Sequence, residues 1–348
     1  MTLHHRITAF ERLGASLTAF LTTEPEAVTA LTGRAAAANP WFDEPNVRAA
    51  LAGIASMLHP DELRPWLAPY EAAALQPARP RRVGVVMAGN IPLVGFHDLL
   101  CVLISGHVLL AKLASTDPVL PRWLADELST IEPALADRIQ FVELVKEAEV
   151  VIATGSDNTA RYFDYYFARR PHLIRRNRTA RAVLTGYETG EELARLGQDI
   201  FRYYGLGCRN VASLLVPPGY DFRPLLDALQ PWQTVLHHPK YHNNYEYQRA
   251  LLLVNLVPHL DTGYLLVRED PQPVSPISVL HYQYYDGKTE LDAHLAEQAA
   301  RTQVVVSAGG WLAGSEAFGQ AQYPHVWDYA DGVDTLRFLT TAVTDAAT

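Results

Sequence analysis

Val83-Gly84-Val85-Val86-Met87-Ala88-Gly89-Asn90-Ile91-Pro92 is the stretch on which the fold turns. A short apolar run halted by Gly-Asn and a proline suits a strand buried on both faces, as strands of parallel sheets are. The grammar then repeats. Residues 94–104 read as a helix, Val108-Leu109-Leu110-Ala111 as a strand ending at Lys112, and residues 121–129 as a helix with Pro118 and Pro121 near its start. Phe141 to Val145 and Val150-Val151-Ile152-Ala153 read as further strands. The latter runs into Thr154-Gly155-Ser156-Asp157-Asn158 and a helix reaching Phe167. Strands alternating with helices predict parallel βαβ units in a doubly wound sheet.

After Arg181 the pattern starts again. Ala182-Val183-Leu184 is a strand, residues 191–204 a helix, and Val211 to Val216 a strand stopped by Pro217. Residues 221–229, 243–255 and 291–300 read as helices. Leu265-Leu266-Val267, Ile277-Ser278-Val279-Leu280 and Gln303-Val304-Val305-Val306 read as strands. Upstream, residues 1–80 are helical by the spacing of Ile7-Phe10-Leu13 and Ala49-Ile54-Leu58, and Gln76 to Arg81 is a polar connector. The expected architecture is α/β, two doubly wound Rossmann-like domains behind a helical N-terminal segment. A hinge near residues 181–187 and a ligand cleft are expected with it.

Composition sets limits. A length of 348 residues favours two domains, and 49% hydrophobic with 19% charged residues describes a globular chain with sizeable cores. A net charge of −9 argues against nucleic-acid partners. Only Cys101 and Cys208 are present, which fits a reducing compartment. Met1 to Thr23 lacks a signal-peptide core and no run approaches a membrane span, so the expectation is a cytoplasmic protein with no membrane span.

Chemistry concentrates at Tyr204-Gly205-Leu206-Gly207-Cys208-Arg209-Asn210, where a thiol follows two glycines between a helix and a strand. Glycines allow close approach and positive φ, and a reactive thiolate needs such access. The alternative is a small core residue. Asn90 sits beyond the carboxyl end of the first strand, where ligands gather and an amide can meet an oxyanion, or simply makes a turn. Lys112 ends the next strand as a nucleotide contact or a solvated terminus. Gly155-Ser156 precedes a helix, as a pyrophosphate site or a plain N-cap. No GxGxxG or P-loop motif appears. Arg169, Arg170, Arg175, Arg176, Arg178 and Arg181 read as a solvated face or an attractor for a multiply charged ligand. His237, His238 and His242 read as polar lining rather than a metal site, so no metal is expected. Cys101 lies in an apolar helix and reads as core.

In this order the pieces resemble the aldehyde dehydrogenase superfamily. The nearest likeness is to the acyl-CoA reductase family that includes the fatty-acid reductase of bacterial luminescence (LuxC-like). The likeness runs from about Val83 to Phe338. It is carried by Val83 to Ser115, Gly155-Ser156, Asp199 to Val211, Ser275-Pro276-Ile277-Ser278-Val279, Phe318-Gly319-Gln320-Ala321-Gln322 and Trp327 to Asp334. The resemblance implies that Cys208 is the nucleophile and that Asn90 completes an oxyanion hole with the amide of Cys208. It implies that Lys112 holds the adenosine ribose and that Ser156, beside Gly155, meets the pyrophosphate. Domains of 1–184 (helical segment plus nucleotide-cofactor domain), 185–315 (catalytic) and 316–348 (C-terminal arm) follow from it.

The departures from the family pattern are informative. Val183-Leu184-Thr185-Gly186 stands where aldehyde-oxidising members have Glu-Leu-Gly-Gly, so the hydrolytic glutamate is missing. Gln272 stands near the position of a ribose-binding glutamate, and Ala160 replaces the second glycine of the Gly-Ser motif. Ser115 replaces the acidic residue that repels a 2′-phosphate, which points to NADPH, with NADH the alternative. The expected activity is reduction of a long-chain acyl-CoA to an aldehyde through an acyl-cysteine. The competing readings are a reductase fed by an acyl phosphate or by an acyl-transfer partner enzyme, and a non-catalytic binding protein. A homo-oligomer is expected from the Phe318 to Phe338 segment.

Overall fold

The structure, a computed structural model, describes residues 1–155 and 157–341. It divides into two compact units, Met1–Arg176 with the chain from Pro324 onward, and Asn177–Tyr323.

The first unit opens with helices α1 (Leu3–Thr23), α2 (Pro25–Ala38), α3 (Glu44–Met57) and α4 (Pro60–Leu67). Thr2 and Asp43 cap α1 and α3 by accepting from the amides of His5 and Asn46. The stripe Phe10, Leu13 and Leu17 of α1 shares one core with Leu51 and Ile54 of α3. The chain then alternates: β1 (Arg82–Val86), α5 (Phe96–Ile104), β2 (Val108–Lys112), α6 (Leu120–Ile131), β3 (Ile139–Phe141), β4 (Val150–Thr154), α7 (Asp157–Phe167) and β5 (His172–Arg175). The strands are parallel in the order β3-β2-β1-β4-β5. Helix α5 is apolar on every face from Leu99 on and accordingly buried there, Leu99 through Ile104 being at most 2% exposed. Gly84 of β1 is there for space, since a Cβ would lie 2.7 Å from Ala148 Cβ and 2.9 Å from Val145 Cβ.

The second unit contains β6 (Thr179–Val183), α8 (Gly190–Phe201), β7 (Val211–Val216), α9 (Arg223–Leu229), α10 (Pro239–Val254), β8 (Leu260–Asp261), β9 (Leu266–Glu269), β10 (Val279–Tyr284), α11 (Gly287–Glu297), β11 (Thr302–Ser307) and β12 (Glu316–Ala317). Its sheet runs β12-β11-β6-β7-β10-β9-β8, parallel except for the edge pair β8 and β9. The capping box Thr189/Glu192 starts α8. The α/β class, the parallel sheets and the helical start thus agree with the sequence reading.

The chain divides at Arg176, not after residue 184, because β6 pairs with β7 and β11 in the second sheet. Nor do residues from 316 on form one separate arm. Residues 316–323 stay with the second unit, where β12 pairs with β11, and from Pro324 the chain joins the first unit, ending in α12 (Thr335–Thr341). Part of the arginine run is interior too. Arg175 closes β5 with 4% exposure, donating to Asp98 at 2.6 Å, to the Ala330 carbonyl at 2.7 Å and to Thr335 Oγ1 at 2.8 Å. Arg181 is 1% exposed on β6 and donates to Ser213 Oγ and the His294 carbonyl. Among the described residues no helix is long and apolar enough to cross a membrane.

Removing one partner of a buried ion pair strands the other charge. Arg175→Met should therefore cost about 3–5 kcal/mol, read as a lower urea midpoint.

Candidate active site

Strands ordered β3-β2-β1-β4-β5 reverse direction of addition between β1 and β4, and ligands of open α/β sheets collect at that crevice. Register puts Val86 of β1 beside Lys112 of β2 on one side and Ala153 of β4 on the other. The loop after β1 carries Asn90, which is exposed. Lys112 is half-buried at the end of β2, and Ser115 is exposed three residues on. Gly155 lies two residues past Ala153, where a Cβ would stand 3.0 Å from Thr159 Cβ, so glycine keeps the entry to α7 tight. Asn90, Lys112, Ser115 and Gly155 are thus gathered at one sheet edge, while Ser156 lies outside the described residues. The two loops are joined by the Met87 amide donating to the Lys112 carbonyl at 3.0 Å.

In the second unit Cys208 is half-buried on a tightly specified turn. Helix α8 ends at Phe201, and Tyr203 (φ 54°), Tyr204 (φ 56°) and Gly205 (φ 78°) follow in left-handed conformations. Each tyrosine costs about 1–2 kcal/mol there, and such strain persists only where the surroundings impose it. Asn210 imposes it. Its Oδ1 accepts from the Gly207 amide at 2.8 Å, and its Nδ2 donates to the carbonyls of Arg202 (2.8 Å), Asp199 (3.0 Å) and Ile200 (3.3 Å). Its own amide donates to the Gly207 carbonyl at 3.0 Å, closing a turn with Cys208 second in it. The side chain is 2% exposed, so these partners replace water.

A second layer holds the first. Asp199 accepts from the amides of Gly319 (2.6 Å) and Ala321 (3.1 Å). Burial pushes its carboxyl up to about 7, those two amides pulling it back. Arg209 Nε donates to the Ala321 carbonyl at 2.6 Å, and Gln322 Nε2 to the Arg209 carbonyl at 3.0 Å. The Phe318 to Gln322 segment is therefore stapled to the cysteine loop. His238 accepts from the Tyr241 amide as the cap of α10, and its ring lies 4.5 Å from that of Tyr204. Cys101 differs in kind: it is fully buried, and burial pushes its thiol well above the ordinary range.

Residues 44–175 match the family described as acyl-CoA reductase (LuxC). That segment holds Asn90, Lys112, Ser115 and Gly155 of the LuxC-like resemblance, and Cys208 lies beyond it. A putative aldehyde dehydrogenase from Burkholderia cenocepacia is similar with a TM-score of 0.64 and 15% identity, covering 88% of this chain and 74% of that one. An NAD+ complex of a Bacillus cereus aldehyde dehydrogenase gives 0.61 and 14%, over 88% and 72% of the two chains. An Escherichia coli NADP-dependent enzyme gives 0.62 and 13%, over 88% and 73%. The fold is that of the aldehyde dehydrogenases. No curated protein matches the sequence.

Asn210 and Asp199 had no visible role in the sequence beyond lying near the cysteine; the one available signal was a buried-type amide two residues after a nucleophile candidate. Two outcomes follow. Native protein should take up one equivalent of iodoacetamide, at Cys208, and a second, at Cys101, only in denaturant. Asn210→Ala leaves buried carbonyls and an amide unmatched and should lower unfolding free energy by on the order of 3 kcal/mol in urea titrations.

Proposed function

We propose that the chain is a cytosolic, self-associating acyl-CoA reductase acting on long-chain thioesters with NADPH, NADH being the alternative donor. The observation that carries this is Cys208, half-buried on a turn locked by Asn210, in a chain with the aldehyde dehydrogenase fold. The match over residues 44–175 supports the acyl-CoA class.

In this reading the Cys208 thiolate attacks the thioester carbonyl, the carbon–sulfur bond to coenzyme A breaks, and coenzyme A leaves as a thiolate that takes up a proton. The Asn90 amide and the Cys208 backbone amide are the donors for the oxyanion formed on the way. The acyl group then rests on Cys208. Val183, where aldehyde-oxidising relatives carry a glutamate, is fully buried among Leu215, Tyr285 and Leu291, and offers no base to water. The nearest carboxylate in sequence, Glu188, is taken up by the Thr185 hydroxyl and the amides of Thr185 and Gly186. Hydrolysis of the acyl-enzyme is thereby disfavoured.

The edge formed by β2, β1 and β4 suits a dinucleotide. On this reading Lys112 and Ser115 would meet the adenosine ribose, with no carboxylate at position 115 to repel a 2′-phosphate, and the tight Gly155 turn leads into α7. A nicotinamide cofactor held there would supply a hydride for the acyl carbon; the carbon–sulfur bond to Cys208 then breaks, releasing the aldehyde and restoring the Cys208 thiolate. The neighbours described as an NAD+ complex and an NADP-dependent enzyme support a nicotinamide cofactor of either kind.

Mixing the protein with tetradecanoyl-CoA and NADPH should give an absorbance loss at the nicotinamide band and a fatty aldehyde, both abolished by Cys208→Ala. Turnover retained in that variant, or seen with tetradecanoyl phosphate and not with the thioester, would refute the assignment.

A further inference from the structure

We propose that Asp117 is the positioning residue of Asn90, bracing the turn from Asn90 to Leu93 through the Leu93 amide. The inference rests on the reading of Asn90 as the oxyanion donor. Leu93 sits in the left-handed region (φ 57°), a conformation that a leucine adopts only when held there. Asp117 holds it. Its Oδ2 accepts from the Leu93 amide at 2.9 Å, across 24 residues of sequence, from the loop that follows β2. The same two loops meet at Gly89, where a Cβ would collide with Thr116 Oγ1, stand 2.7 Å from Ala114 Cβ and 3.2 Å from the Asp117 amide nitrogen. The turn bearing Asn90 is thus clamped from the second loop by one carboxylate and one close backbone approach.

The carboxyl itself is unusual. It is 3% exposed, and among the described residues no cation pairs with it and its Oδ1 makes no hydrogen bond. It borders a small pocket lined by Met87, Leu93, Phe96, Leu99, Pro121 and Leu124. A carboxylate buried among apolar side chains is a liability to the fold, and its retention points to the two backbone amides it meets, Leu93 in the Asn90 loop and Leu120 at the start of α6. Burial pushes it up to about 7, with the amides of Leu93 and Leu120 pulling it back and no charged side chain contributing. It therefore changes charge in the working range, and the ionised form is the stronger acceptor for the Leu93 amide.

The experiment compares full-length wild type, Asp117→Ala and Asp117→Asn in reduction of tetradecanoyl-CoA by NADPH between pH 5.5 and 8.5, about the span over which a group titrating near 7 changes charge. Asp117→Ala should lower kcat by about 100-fold while leaving KM for NADPH within about threefold, the effect of a misplaced donor. Asp117→Asn, which keeps an acceptor oxygen but cannot ionise, should recover most of kcat. It should also lose the rise in kcat that the wild type shows through pH of about 7. Asp199, which titrates in the same range, is intact in both variants, so the difference between profiles belongs to Asp117. If Asp117→Ala does not fold, the pH profile of Asp117→Asn decides, and an unchanged rise overturns the proposal. A folded Asp117→Ala with wild-type kcat, or an Asp117→Asn no better than alanine, also overturns it. A wild type that reduces no acyl-CoA sinks the functional reading itself and this one with it.

Discussion

The carboxamide of Asn210 holds together what the rest of the second unit arranges around it. One oxygen takes the Gly207 amide, and two N–H groups serve three carbonyls at the frayed end of α8. A helix end normally leaves such carbonyls to water or to a glycine cap. Here a side chain from beyond the cysteine serves them instead. The helix, the left-handed step at Tyr203-Tyr204-Gly205 and the turn bearing Cys208 therefore form one unit, and a sulfur is fixed where α8 hands over to β7. Strain in two tyrosines is tolerable because four hydrogen bonds of 2.8–3.3 Å, out of water, oppose it.

The first unit uses the same device with different chemistry. A loop after one parallel strand is held by a side chain from the loop after its neighbour, Asp117 reaching the amide of Leu93. In both cases a polar group that receives no charge partner is buried beside a residue of positive φ. The loops bearing Asn90 and Cys208 are thus held by side chains from neighbouring segments, and the sheets supply the platform.

How much was legible follows from where the information sits. Strands β1, β2 and β4 were readable because strands buried on both faces must be apolar throughout. Strand β5 was not, since His172-Leu173-Ile174-Arg175 ends in a charge and lies inside an arginine run that reads as surface. Arg175 is interior only because Asp98, 77 residues earlier, and Thr335, 160 later, supply its partners, and no local pattern reports that. The helix predicted to run to Tyr204 stops at Phe201 for a like reason, since propensity does not see Asn210 arriving. Cys208, Asn90 and Lys112 were legible as residue types at strand and helix ends. Their supports, Asn210, Asp199 and Asp117, were not, because a hydrogen bond to backbone places no demand on the partner's sequence.

The route of the chain through the first unit has a consequence for how it is made. Asn177–Tyr323 is continuous and can collapse as soon as it has left the ribosome. The unit that begins synthesis cannot. Arg175 has its charge partner Asp98 at once, but its hydrogen bonds to the Ala330 carbonyl and Thr335 Oγ1 wait until some 160 further residues have been translated. At about 5–20 residues per second that is a delay on the order of ten seconds. Throughout it, the apolar floor that later receives Val326, Leu336 and Leu339 stays uncovered, so the core of the first unit is completed only by the last part of the chain to be made.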